Sequence, residues 1–119
     1  MYKEEYSTKS AAGGVGPPRE NLHTHTRHCK HATGDASDYA ARALRAGLEV
    51  LGFSDHCPNP ENRWDNVRMP MEELDDYVDA VAKARETHPE LKILLGMECE
   101  HVEEFSAFYR EELLGRCGF

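Results

Sequence analysis

The sequence lacks any run of about 18 consecutive apolar residues, the length a helix needs to cross a bilayer, and so predicts no transmembrane segment. It has no Cys-x-x-Cys pair. Its 4 cysteines, Cys29, Cys57, Cys99 and Cys117, stand singly, which predicts free thiols in a reducing cytoplasm rather than a disulfide framework. The amino terminus lacks the charged start and apolar centre of a secretory signal. There is no basic block. With 22 acidic against 14 basic residues the net charge is -8, which repels a phosphate backbone and argues against extended nucleic-acid binding. Apolar residues are 39% and aromatics 8% of the 119 residues, enough for one domain with a small core. The carboxylate surplus suits divalent cations, and an anionic substrate would need a metal or local arginines to offset it.

Histidine is what the chain does have, and it is clustered. Residues 21–31 read Asn-Leu-His-Thr-His-Thr-Arg-His-Cys-Lys-His, holding 4 of the 7 histidines. Leu22 to Thr26 alternates as a strand does, and side chains at i and i+2 of a strand share a face. His23 and His25 therefore aim two imidazoles at one point, a common way to hold a transition metal. Clustered histidines also mark tags and solvated loops, but a tag is usually uninterrupted. Upstream, residues 1–20 are polar and then rich in Gly and Pro without a period, which predicts a disordered or loosely docked leader. The folded unit is expected over residues 21–119.

Downstream the signals alternate. Thr33-Gly34-Asp35 is a turn. Ser37 is an expected N-cap for a helix ending at Ala46, with Gly47 as its left-handed terminator. Leu48 to Phe53 reads as a buried strand that delivers Asp55-His56-Cys57-Pro58. Asn, Pro and the only tryptophan, Trp64, mark a loop, with ordinary packing expected for Trp64. A helix over Met71 to Thr87 follows, its acidic first half explained by the positive end of the helix dipole, and His88 is expected to be exposed. Leu91 to Gly96 is a third buried strand that delivers Met97-Glu98-Cys99-Glu100-His101. A last helix is expected over Glu103 to Leu114. This is an α/β pattern of three consecutive βα units. Parallel strands put their carboxyl ends on one rim, where His23, His25, His31, His56 and Glu98 would gather. A cysteine-containing metal site is an alternative, since Cys29, Cys57 and Cys99 lie beside or within two residues of these groups.

These residues resemble the PHP (polymerase and histidinol phosphatase) superfamily, in particular its histidinol-phosphatase branch. The resemblance spans about Asn21 to Arg116. It rests on His23-Thr-His25, His31, the Ser54-Asp55-His56 and Gly96-Met97-Glu98 strand ends, and the segment from Arg68 to Leu74. It implies a distorted (β/α)7 barrel holding up to three divalent metal ions, zinc, manganese or iron. By that resemblance His23 and His25 match two ligands of one metal, Glu98 a carboxylate bridging it to a second, and His31 and His56 two ligands of a third. The implied reaction is hydrolysis of L-histidinol phosphate in histidine biosynthesis.

Arg27 and Arg68 are candidate clamps for phosphate oxygens, with salt bridging as the plainer role for each. Asp55 is expected to orient His56, and Glu100 and His101 are either further ligands or rim loop positions. Full members of the family are much longer, so the expectation is an amino-terminal fragment, weakly active or inactive alone. It could be a truncated reading frame, an inactive piece, or a chain that self-associates through the open barrel edge. The expected partner is a small phosphorylated metabolite, with no nucleic acid and no membrane. The competing readings are a non-catalytic metal-binding or assembly module and a PHP enzyme acting on another phosphoester.

Overall fold

The computed structural model describes residues 19–118. Its elements follow the alternation of apolar runs. Strand β1 spans Glu20–Thr24, β2 Val50–His56 and β3 Lys92–Glu98, in one parallel sheet of order β1-β2-β3. Helix α1, Ala36–Arg45, connects the first pair of strands, and α2, Leu74–Thr87, the second. The leader expected over residues 1–18 lies outside the described residues. Glu20, placed by the sequence reading in that leader, instead opens β1.

β2 is central, and Leu51 to Asp55 are all buried, as a strand flanked on both edges and covered by helices requires. Its register with β3 is unbroken from Val50↔Lys92 to His56↔Glu98. Both strands therefore run past the ends read from their apolar residues, because the backbone ladder continues into the polar segment. β1 is different. Its partners are Asn21↔Leu51 and then Thr24↔Phe53, three residues set against two, a bulge. The Asn21 side chain accepts the His23 amide at 2.9 Å, giving that N–H a partner where the ladder is irregular. Bulges re-aim side chains, and this one sits where His23 leaves the sheet. β1 ends at Thr24 rather than Thr26 because the Thr26 amide donates to Asp55 instead of to a neighbouring strand.

Helix α1 is capped by Asp35, not by Ser37. Asp35 accepts from the Ala36 amide, and Asp38 accepts from the Asp35 amide at 2.9 Å, a reciprocal capping box. Gly34 turns the chain at φ +90° into this cap, a conformation that favours glycine. Gly47, at φ +83°, closes the helix as expected. In α2, Leu74, Tyr77, Val81 and Ala84 form one buried stripe at the three- and four-residue spacing of a helical face. They pack with Phe53, Leu51 and Leu95 in the core. His88 is half-buried rather than exposed, since its backbone amide and Nδ1 both lie near the Ala84 carbonyl, at 3.0 and 3.3 Å. The last helix is not uniform. A 3-10 turn at Glu103–Phe105 runs through Ser106–Phe108 into a π turn at Tyr109–Leu113, which buries Phe105 and Leu113. Trp64 is not a core residue. It is 48% exposed at φ +57°, flanked by the guanidinium groups of Arg63 and Arg68. No helix among the described residues is long and apolar enough to cross a membrane.

Candidate metal centre

The carboxyl ends of the three strands bring the histidines and one carboxylate together. His23 leaves the β1 bulge, His25 follows the strand, and His56 and Glu98 end β2 and β3 in register. Glu98 Oε1 lies 3.0 Å from His23 Nε2 and 2.9 Å from His25 Nε2, and the two Nε2 atoms are 3.1 Å apart. His25 also meets His56 edge-on, with ring centroids 4.9 Å apart, and His31 at 5.6 Å. His31 and His56 are 5.3 Å apart. All five residues singled out from the sequence therefore occupy one rim. A second donor group sits beside the first: His25, Cys29 and His31 place ligating atoms within 4.8 Å of one another.

Three donor atoms at the corners of a nearly equilateral triangle crowd their lone pairs unless a proton or cation lies between them. His23, His25 and Glu98 are the residues that would hold such an ion, through these three atoms. The donor chemistry, imidazole with carboxylate, fits zinc, manganese or iron. His56 adds a further observation, because its buried Nδ1 has no hydrogen-bond partner among the described residues. Burial pushes the His56 imidazole below its ordinary pKa against the pull of Glu98, which favours the neutral form that ligates metal. Burial also pushes the Glu98 carboxyl up. His56, His25 and His23 together outweigh that and hold it below the usual carboxylate range, so it is ionised.

The loop carrying His25 and His31 is tied down by buried polar groups. Asp55 is fully buried and accepts the Thr26 amide at 2.6 Å and the Thr26 hydroxyl. It therefore anchors the loop and does not orient His56 as expected. Asp55 cannot reach both, because in a strand its side chain leaves the face opposite to that of His56. His28, absent from the sequence-derived site, continues the chain of contacts. Its Nδ1 is 3.0 Å from the Thr26 hydroxyl and its Nε2 2.8 Å from Asp76 on α2. The signal that separates it from its neighbours is spacing: His28 breaks the two-residue step that joins His23 to His25.

Both arginines are engaged by carboxylates. Arg27 donates to Asp76 at 3.1 Å. Arg68 is buried and makes a two-pronged contact with Glu100, at 2.6 and 3.0 Å, plus a bond to the Cys57 carbonyl at 2.9 Å. Glu100 lies 3.6 Å from His56 Nδ1, which brings a second carboxylate to the rim, while His101 is exposed. Beside His23 and His25 an open cleft of about 550 Å³ is lined also by Tyr39, Arg42 and Leu48.

Comparison with known proteins places the fold. The PHP domain family model matches residues 21–116. The chain is 42% identical over 81 residues to a Deinococcus radiodurans protein named a probable histidinol-phosphatase, covering 66% of this chain and 30% of that protein. It is 30% identical over 90 residues to the histidinol-phosphatase of Bacillus subtilis, covering 70% of this chain and 34% of the relative. A Listeria monocytogenes crystal structure with a provisional histidinol phosphatase assignment superposes with a TM-score of 0.65 at 20% identity, over 77% of this chain and 38% of that one. The chain thus spans about a third of the length of the curated relatives it matches. Its three parallel βα units and the rim at their carboxyl ends are part of a PHP barrel, and the chain belongs to the PHP domain family.

Proposed function

We propose that this chain carries part of the metal-binding rim of a phosphomonoesterase that hydrolyses L-histidinol phosphate in the cytoplasm, as a step of histidine biosynthesis. One observation carries the reading: two imidazole nitrogens from the end of β1 and one carboxylate oxygen from the end of β3 meet at 2.9–3.1 Å. In it His23, His25 and Glu98 hold one divalent ion, zinc, manganese or iron, and His31 and His56 contribute to another. Such ions, when bound, offset the phosphate charge and bring the pKa of a coordinated water toward neutrality.

The chain's own residues prepare the site. Asp55 and Thr26 hold the loop that carries His25 and His31, which limits the entropy lost when a ligand is gripped. Arg68 fixes Glu100 beside His56. Of the two arginines proposed as phosphate clamps, Arg27 stands on the exposed side near Asp76 and would have to exchange that partner. Arg42 lines the cleft next to His23 and offers a further cation to an anionic substrate. The partner in this reading is a small phosphorylated metabolite. Self-association across an open strand edge would be the way for these 119 residues to gain further ligands.

The test pairs elemental analysis of the dialysed chain with phosphate release from L-histidinol phosphate, for the wild type and Glu98→Gln. Retained metal that falls about tenfold or more in the variant, equivalent to about 1.4 kcal/mol, together with metal-dependent phosphate release, supports the reading. Metal retention equal in the two proteins overturns it. Metal bound without phosphate release at any protein concentration favours a non-catalytic metal-binding module. The part-length match to the relatives keeps that second reading in view.

A further inference from the structure

β2 and β3 stay in parallel register up to His56 opposite Glu98, and the ladder continues one step beyond. The Cys57 amide donates to the Glu98 carbonyl at 3.0 Å, which makes Cys57 and Cys99 the next cross-strand neighbours. Adjacent strands lie about 4.8 Å apart, inside the roughly 4.4–6.8 Å Cα separation that a disulfide spans. Register partners point to one face, here the face opposite to that of His56 and Glu98. Both thiols are free, Cys57 in the core and Cys99 exposed. The other two thiols are placed differently. Cys29 is buried and donates to the Thr26 carbonyl, and Cys117 is half-buried beyond the last helical turn.

We propose that Cys57 and Cys99 are a reversible dithiol, closed to a disulfide by a small-molecule disulfide such as oxidised glutathione. The exposed Cys99 thiol gives its proton to solvent, and the thiolate attacks one sulfur of the oxidant, forming a mixed disulfide and expelling one glutathione thiolate, which takes a proton from solvent. The Cys57 thiol then gives up its proton and attacks Cys99 Sγ. This expels the second glutathione thiolate, which takes the proton. The two protein thiols lose two electrons and the oxidant gains them, leaving two reduced glutathione molecules. Exchange of this kind needs one accessible thiol and one resolving thiol in reach, and the pair supplies one of each. Each sulfur follows a residue of the rim, His56 or Glu98, so closing the bond braces the two strand ends that carry them. The bond needs no metal at the rim in order to form.

The experiment treats the full chain, in chelator and native buffer, with oxidised glutathione, alkylates the remaining thiols and maps peptides without reduction. The expected result is one internal link, Cys57 to Cys99, with loss of two hydrogens, reversed by dithiothreitol. The link should be lost in Cys99→Ser and kept in Cys117→Ala. In urea the specific pairing should give way to mixed pairings, which ties it to the fold. A lasting glutathione adduct on Cys99 with Cys57 still a thiol, or a predominant link to Cys117 or Cys29, would overturn the proposal.

Discussion

Thr26→Val removes a single hydroxyl from a fully buried side chain at nearly constant volume. In the wild type that hydroxyl donates to Asp55 and lies 3.0 Å from His28 Nδ1. A hydrogen bond to a charged group contributes about 1.5–3 kcal/mol, and a buried partner left unsatisfied costs about 1–3 kcal/mol. Asp55 keeps the Thr26 amide at 2.6 Å, so these effects do not sum in full, and a net loss of about 2–4 kcal/mol is expected. That is a large part of the roughly 5–15 kcal/mol that holds a domain folded. For about 100 residues each kcal/mol moves Tm by about 4–8 °C, so the melting temperature should fall by about 10–30 °C. Urea unfolding followed by circular dichroism measures the loss directly. Thr26→Ser, which keeps the hydroxyl and drops only a methyl, is the control and should cost clearly less. A Thr26→Val protein within about 0.5 kcal/mol of wild type, the range of an ordinary surface change, would refute the assignment of Asp55 and Thr26 as the anchor of the histidine loop. So would a serine variant as damaged as the valine one.

Two further outcomes follow from other parts of the structure. Phe53→Ala empties a fully buried position in the central strand and should cost about 3–5 kcal/mol in the same urea assay; a loss under about 1 kcal/mol would mean that the β2 core is not packed as described. Asp76 is held below the usual carboxylate range by its bond to His28 and then by Arg27. A depressed folded pKa gives stability that is present above the ordinary carboxylate value and is lost as pH falls through the lowered one. Asp76→Asn should therefore flatten that part of the stability–pH curve. Because the side chain is 59% exposed, the effect should stay within about 1 kcal/mol, and an unchanged slope in the acid limb would count against the pairing.

Periodicity and local chemistry determined much of this protein. Apolar runs between turn signals placed three strands and two helices. The two-residue step from His23 to His25, with polar residues at the ends of the second and third strands, pointed to one rim. Those are local properties, since period, turn chemistry and apolar content act over a few neighbours. Tertiary structure decided the rest. Whether Asp35 or Ser37 caps the first helix depends on which of them the Gly34 turn leaves extended. Where β1 stops depends on Asp55, 29 positions along, taking the Thr26 amide from the ladder. His28 and Asp76 meet only because α2 packs over the loop, and Cys57 meets Cys99 only because β2 and β3 share a register. A hydrogen bond or a pair of thiols between residues far apart in sequence leaves no trace in local composition, because its energy exists only once the fold has brought the partners within reach.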